Sequence, residues 1–405
     1  DLNDEANYRA LQELVDLANF ADYMLLHFFG DAEDWPHHNG HAMRNRGANE
    51  PFKFYVWDQE IVLDNLNVKR YDASDANRPG ALFQSLRKSK EFRLLFADRV
   101  QKHLFNGGAL DVKPAQDRYL KLANIIDKAI VAESARWGDT QDSTPYGNMV
   151  DQPRNANDVD DLAYPTAPHA PNIYFTREAS WLVERDNVIN HYIPATHDRT
   201  NASSIHNELE NEELYAKTDA PSFNQHGGIV PSGFAVVMET GNASIYYTTD
   251  GSDPREFGGA TAATAKLFPA GGAGVVLTET TIIRMRAVSK SNPFLVGGEW
   301  SALVEAKFRV GDFGLASNLV VSEIQYQPQV PNEAENAAGF VSRSDFEYVE
   351  LLNTGSKAII LEGLAFSNGL QFIFRPGGVE ELAADERVLI VNNPEAMAMR
   401  YGSGL

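Results

Sequence analysis

Gly30-Asp31-Ala32-Glu33-Asp34-Trp35-Pro36-His37-His38-Asn39 and, further on, Phe52-Lys53-Phe54-Tyr55-Val56-Trp57-Asp58-Gln59-Glu60 are the two stretches on which the reading of this 405-residue chain turns. The first is a polar loop that closes a helix. Leu17, Phe20, Ala21, Met24, Leu25 and Phe28 recur at helical spacing on one face, behind Asp16 as an N-cap. In the second, Phe52 to Val56 alternates with period two and predicts a short strand. Phe92, Leu95, Phe96, Val100, His103 and Leu104 predict a second helix, closed by Asn106-Gly107-Gly108. A third is expected after Pro114, with Tyr119, Leu122, Ile126, Ala129 and Ile130 turned inward. Residues 139–172 carry Asp, Asn, Pro and Gly without an apolar period and read as a surface insertion. Helical spacing returns from Glu178 to Tyr192, and an acidic run at 207–213 leads to a boundary near Pro221.

Beyond that boundary the texture turns to β. Residues 234–238, 244–249, 281–288 and 302–308 are strand-like runs between turns and suggest a sandwich over 221–310. A linker at Gly311 to Ser317 precedes a second β segment over 318–405, with runs at 320–324, 346–352, 357–361, 370–374 and 388–391. The chain closes at Arg400-Tyr401-Gly402-Ser403-Gly404-Leu405 with no terminal helix expected, and it opens at Asp1 without Met or a signal pattern, so it reads as an internal fragment.

Lys and Arg number 35 against 56 Asp and Glu, a net charge of −21, which argues against nucleic acid as a main partner. The absence of Cys excludes thiolate metal sites, thiol nucleophiles and disulfides. No apolar run is long enough to cross a bilayer.

Asp34 and Asn39 stand five residues apart, the spacing of Asp and Asn in the catalytic loop of protein kinases. Asp58 follows 24 residues after Asp34, at a strand end, where a kinase keeps a metal-binding Asp. Phosphoryl transfer needs one carboxylate to orient the acceptor hydroxyl and take its proton, and two oxygen ligands to hold Mg²⁺ against the nucleotide phosphates. The spacing alone also suits an ordinary solvated loop. Its setting, a long helix before, a strand after and helices beyond, is the order of a kinase C-terminal lobe.

The words of the sequence go further. Asp22-Tyr23-Met24-Leu25-Leu26-His27-Phe28-Phe29-Gly30, Asp34-Trp35-Pro36-His37-His38-Asn39, the stretch from Phe52 to Glu60, Glu91-Phe92-Arg93-Leu94-Leu95-Phe96-Ala97-Asp98-Arg99-Val100 and Glu133-Ser134-Ala135-Arg136-Trp137-Gly138-Asp139 closely resemble the CotH kinase family, in the form found in large bacterial surface or secreted proteins. The resemblance implies an atypical protein-kinase fold over 1–220, with ATP and Mg²⁺ as cofactors. It places Asp34 at the catalytic-loop position and Asn39 and Asp58 at the metal site. Glu60 is a weaker candidate, for a further metal contact or an ion pair. Nothing before Asp1 supplies the phosphate-covering loop and Lys of an N-terminal lobe, so the chain by itself is not expected to turn over ATP. His37, His38 and His41 read as loop residues rather than a zinc site, and Arg136 as half of a buried ion pair at a helix end.

Ile245-Tyr246-Tyr247-Thr248-Thr249-Asp250-Gly251-Ser252-Asp253-Pro254 is similar to the signature of the chitobiase/β-hexosaminidase C-terminal-like domain, an immunoglobulin-like sandwich. A sugar-binding use of Tyr246 and Tyr247 competes with a spacer role; the two point to opposite faces, so at least one is expected in the core. Leu319 to Pro328 and Phe346 to Gly355 resemble the lamin tail domain, in a sandwich expected to be truncated with exposed edges; Glu323, Glu347 and Glu350 would bind Ca²⁺ only if they converged, and because Glu347 and Glu350 face opposite sides of a strand they read as separate surface charges. The fold class expected is therefore multidomain: a mainly α kinase-like C-terminal lobe followed by two all-β immunoglobulin-like sandwiches. The expected function is that of an exported bacterial atypical protein kinase acting on a protein hydroxyl. The alternative is a catalytically inactive extracellular or cell-surface scaffold or adhesion protein, whose partner is a cell-surface component.

Overall fold

A computed structural model describes residues 1–32, 35, 36, 38–48, 50–59, 61–63, 66, 71–137, 176–289, 299–375 and 377–402. The insertion expected over 139–172 lies outside the described residues. The helical region holds α1 (Glu5–Gln12), α2 (Leu17–Gly30), β1 (Gly40–Met43), β2 (Lys53–Val56), α3 (Pro79–Leu86), α4 (Lys90–Leu104), α5 (Val112–Ile126), α6 (Ala129–Trp137), α7 (Leu182–Asn187), α8 (Ile193–His197) and α9 (Ile205–Asn211). Two π-helical turns, Arg177–Trp181 and Val188–Tyr192, flank α7.

The strand-rich region runs β3 (Ser222–Phe223), β4 (Gly228–Val230), β5 (Phe234–Val236), β6 (Met238–Glu239), β7 (Ala243–Thr248), β8 (Lys266–Phe268), β9 (Val275–Leu277), β10 (Thr281–Ser289), β11 (Glu299–Trp300), β12 (Val304–Val310) and β13 (Asp312–Phe313). It continues with β14 (Leu319–Gln325), α10 (Glu333–Ala337), β15 (Tyr348–Asn353), β16 (Ile359–Ile360), β17 (Ala365–Phe366), β18 (Phe372–Ile373), β19 (Glu381–Leu382), β20 (Arg387–Val391) and α11 (Pro394–Tyr401).

Two compact units divide these elements. The first comprises Asp1–Phe223, Met238–Gly272 and Arg284–Glu305. Its core is aromatic and centres on α2 and α4, where Phe20, Met24, Phe28, Phe92, Phe96 and Val100 are buried. Asp16 caps α2 by accepting the Asn19 N–H at 3.0 Å. Ser89 caps α4 at Phe92, and such caps satisfy amides that no turn above can reach. Between the two helices Arg99 of α4 forks onto Asp22 of α2, and His103 Nε2 lies 3.0 Å from the same carboxylate. Within this unit β7 pairs antiparallel with β8 and with Arg284–Ser289 of β10, which in turn pairs with β11.

Those strands meet α4 through buried charge. Arg286, 1 % exposed, donates two 2.7 Å bonds to Asp98, two more to Asp253 at 2.8 and 2.6 Å, and a fifth to the Ser301 carbonyl at 2.9 Å. All five guanidinium N–H groups are thereby used. Leu303 N–H adds a 2.7 Å bond to Asp98. Two turns earlier on α4, Glu91 accepts a bidentate pair from Arg255 at 2.7 Å and the Gly258 N–H at 3.0 Å. Burial by itself would lower the Arg286 pKa, but the two carboxylates outweigh it, so the guanidinium stays charged.

The second unit comprises Asn224–Val237, Ala273–Ile283 and Ala306–Leu405. It holds the antiparallel pair β5–β9, the parallel pair β4–β12, and small sheets ordered β13–β16–β19, β14–β15–β20 and β17–β18. Leu351, Ile359, Leu361, Phe374, Leu382 and Ile390 form its main apolar cluster. Gly227 adopts φ 67, and a Cβ there would stand 2.8 Å from the Lys307 carbonyl oxygen, so this close approach admits glycine alone.

Several expectations need correcting. The chain does have a helix after its last strand: Asn393 accepts the Glu395 and Ala396 amides, Pro394 opens α11, and Ala396 and Met397 pack on Phe346. On α5 the buried row is Ala115 and Ala123, whereas Leu122 and Ile126 are 59 % and 47 % exposed, and Ala129 on α6 is exposed too. Gln116 donates to the Ile189 carbonyl at 2.7 Å, and this bond with the small-residue ridge fixes the inward face. Arg136 is exposed rather than buried. The expected linker contains β13, which joins Ile359 and Ile360. Tyr246 and Tyr247 are both half-buried, against Trp300 and Phe268, and neither is core. Glu323 and Glu350 are register partners across β14 and β15, yet each has its own local partner, Tyr348 for the first, Ser322 and Arg387 for the second.

Candidate active site

The β1–β2 hairpin carries the site at its open end. Its register runs from Met43↔Lys53 to Gly40↔Val56, so Asn39, just before β1, and Asp58, just after β2, emerge side by side. The Asn39 Nδ2 group donates to the Asp58 carbonyl at 3.3 Å. Both residues are left-handed, with φ 56 and 55, a conformation for which Asn and Asp are the favoured residues after glycine. Asp58 is exposed, and its carboxylate makes no hydrogen bond or ion pair among the described residues. Asp34 and Glu60 lie outside the described residues, so of the four predicted site residues the structure brings together Asn39 and Asp58.

The hairpin is fastened to α2 from below. Asn19 accepts the Phe54 N–H at 2.6 Å and returns a 3.3 Å bond to the Phe54 carbonyl, imitating a neighbouring strand with one side chain. Phe52 exchanges backbone bonds with Leu14 and Asp16 at 2.8 and 3.0 Å. Phe54 then packs on Phe20 and Tyr23, with ring centroids 4.6 and 5.5 Å away.

The loop before Asn39 has an equally firm anchor. Trp35 is fully buried, donates its indole N–H to Tyr23 Oη at 2.6 Å, and precedes Pro36 through a cis peptide bond. Its ring stacks on that of His27, 4.3 Å away and nearly parallel. Trp35, the one large apolar member of an otherwise polar run of sequence, is thus the anchor of the described residues just before Asn39. Sequence reasoning missed Asn19, Tyr23, His27 and Trp35 as supports of the site; a lone Trp inside an otherwise polar run was the signal for the last.

His27 is buried with neither ring nitrogen hydrogen-bonded among the described residues. Burial lowers its pKa to about 3, and the nearby Gln59 amide offsets this only in part. Burial pushes the Tyr23 hydroxyl up to about 12, so both groups are neutral near pH 7. Because the unfolded chain binds a proton at His27 from about pH 6.5 downward and the folded one does not, the stability this residue confers is complete above that pH and declines as pH falls towards 3. At about 1.4 kcal/mol per unit, the decline is on the order of 3–5 kcal/mol. Urea unfolding at a series of pH values is expected to show a steeper acid loss for the wild type than for His27→Phe; parallel curves would refute the assignment.

The hard oxygen donors at the hairpin end, a carboxylate and a carboxamide, are of the type that Mg²⁺ takes, so the residues present fit that ion. No group of three or more His, Asp or Glu able to hold a metal occurs among the described residues. His41, considered for zinc, packs edge-on against Trp57 instead.

Residues 1–158 match the family of CotH kinase proteins. The matched stretch includes α2, the hairpin and α4, that is, everything that positions Asn39 and Asp58. Residues 236–293 match the Fn3 associated family, over the segment whose Asp253 and Arg286 join in the buried charge network. No curated protein and no solved structure matches the chain. No helix among the described residues is long and apolar enough to cross a membrane.

Proposed function

We propose that the CotH-like region belongs to an atypical protein kinase that transfers the γ-phosphoryl group of ATP to a protein hydroxyl. The observation that carries this reading is the meeting of Asn39 and Asp58 at one end of a hairpin held rigidly on α2, inside the CotH match. Asp58 and the Asn39 carboxamide oxygen would hold Mg²⁺, which supplies charge neutralisation on the phosphates. Asp34 would orient the acceptor hydroxyl and take its proton, with Glu60 in a supporting contact. The strand-rich remainder is proposed as two immunoglobulin-like modules, chitobiase-like and lamin-tail-like, that display the protein outside the cell.

Labelled ATP and Mg²⁺ test this on the intact protein. Incorporation into protein is expected from the wild type and only background from Asp58→Ala. Equal labelling of both refutes the assignment.

One observation favours a second reading, a pseudokinase scaffold that binds a cell-surface component: the Asn39 amide is already engaged by the Asp58 backbone rather than by its carboxylate. Absence of labelling from the wild type, with binding to surface material intact, would favour it.

A further inference from the structure

The second unit contains an open groove of about 830 Å³. It is lined by Phe366, Phe372 and Ile373 of the β17–β18 pair, by Val388 and Leu389 of β20, and by Arg375 as its charged member. Successive residues of a strand point to opposite faces of its sheet. Val388 packs on the cluster of Leu351 and Ile390, and Leu389 on the cluster of Phe346 and Met397, so the two faces of β20 are both covered. A groove that touches both residues therefore meets β20 at its edge. One edge of the strand is closed by β15, and β20 ends the order β14–β15–β20, so the groove lies along the outer edge.

The ladder fixes which backbone groups that edge offers. Asn392 donates to the Glu347 carbonyl at 3.1 Å and Asn353 to the Glu386 carbonyl at 3.0 Å. Hydrogen-bonded pairs alternate along an antiparallel ladder, so in the same register Val388 and Ile390 are the residues bonded to β15. The N–H and C=O groups of Arg387, Leu389 and Val391 point outward, and they have no hydrogen-bond partner among the described residues. Arg375 is exposed and forms no ion pair among the described residues. The next acid along the chain, Glu380, is already taken by Lys307, Arg309 and the Gly377 amide. Such an edge calls for another backbone, the apolar lining for uncharged side chains, and the guanidinium for a carboxylate.

We propose that the groove takes an extended segment of a partner protein as an added strand beside β20, with apolar side chains at alternate positions and an acidic residue against Arg375. The volume is of the size that ligand sites have. In pairing of this kind the main chain supplies affinity and the alternate side chains supply specificity. The opposite edge of the same sheet does not fit this partner: β14 carries Glu323, and none of its residues lines the groove.

The probe is a peptide of about six residues, the length of an ordinary strand, blocked at both ends, alternating Thr and Val and closing with Asp. Titrated into the full chain, it is expected to bind saturably and to slow exchange of the Leu389 amide while leaving β14 unchanged. Asn in place of the Asp should weaken binding about threefold to fivefold, the worth of a partly exposed ion pair. Arg375→Gln should erase that difference, and because Arg375 is exposed the variant keeps its fold. N-methylation of every second peptide residue, made in both phases, should cost at least about tenfold in one of them, since it removes ladder bonds. No binding of the unmodified peptide, equal binding of both methylated forms and the parent, or slowed exchange in β14 would overturn the proposal. So would slowing of Leu389 exchange with concentration of the chain alone, which would make a second copy the occupant.

Discussion

Arg286→Met is expected to lower the free energy of unfolding of the first unit by about 3–5 kcal/mol, the cost of stranding a buried charge. The guanidinium is fully enclosed and spends all five N–H groups on Asp98, Asp253 and Ser301. Methionine fills most of the volume but leaves Asp98 with the Leu303 amide as its remaining partner. The loss comes from that anion more than from the missing attraction, because desolvation offsets much of what a buried ion pair gains. It follows that Asp98→Leu and Asp253→Leu added to Arg286→Met should restore much of the stability, although each single change is harmful. Urea unfolding of the single and triple variants checks this. A triple variant as unstable as Arg286→Met would show that shape, not charge, sets the cost.

Trp35→Ala is expected to cost about 3–5 kcal/mol, as do other truncations of fully buried aromatic residues. It also leaves the Tyr23 hydroxyl without its donor and uncovers one face of His27. The more informative comparison is Tyr23→Phe, which keeps the packing and removes only the acceptor of the indole N–H, at about 1–3 kcal/mol. Thermal unfolding gives both values. Amide exchange at His41 and Tyr55, opposite one another in the hairpin, should quicken in Trp35→Ala if the indole holds the loop that enters β1. Unchanged exchange with lowered stability would confine Trp35 to the core.

How much of this was legible in the residues differs by element. α2 and α4 were, because their apolar faces are long and their caps, Asp16 and Ser89, use the side chains that helix starts favour. α5 was misjudged because apolar residues occur on more than one side of it, and the inward side was chosen by Gln116 reaching a carbonyl 73 residues away. α11 was missed because its apolar face is only Ala396 and Met397, too short a period to notice. Asp58 and Asn39 were found from spacing and resemblance, and the hairpin register explains why residues 19 positions apart emerge together. What spacing could not reveal is what holds them. Asn19 and Trp35 act through a strand edge and a ring stack, and neither leaves a periodic trace. Asp98, Asp253 and Arg286 stand far apart in the chain, and only pairing of β7 with β10 and packing against α4 brings their charges together.

The arginine that closes over Asp98 has a consequence for how such a protein can be inherited. A rearrangement of genes that moved the helices into a new neighbour without the strand of Arg286 would import an anion with no counterion, and the reverse transfer would strand a cation. Any new neighbour that buries either group therefore has to bring a matching charge of its own.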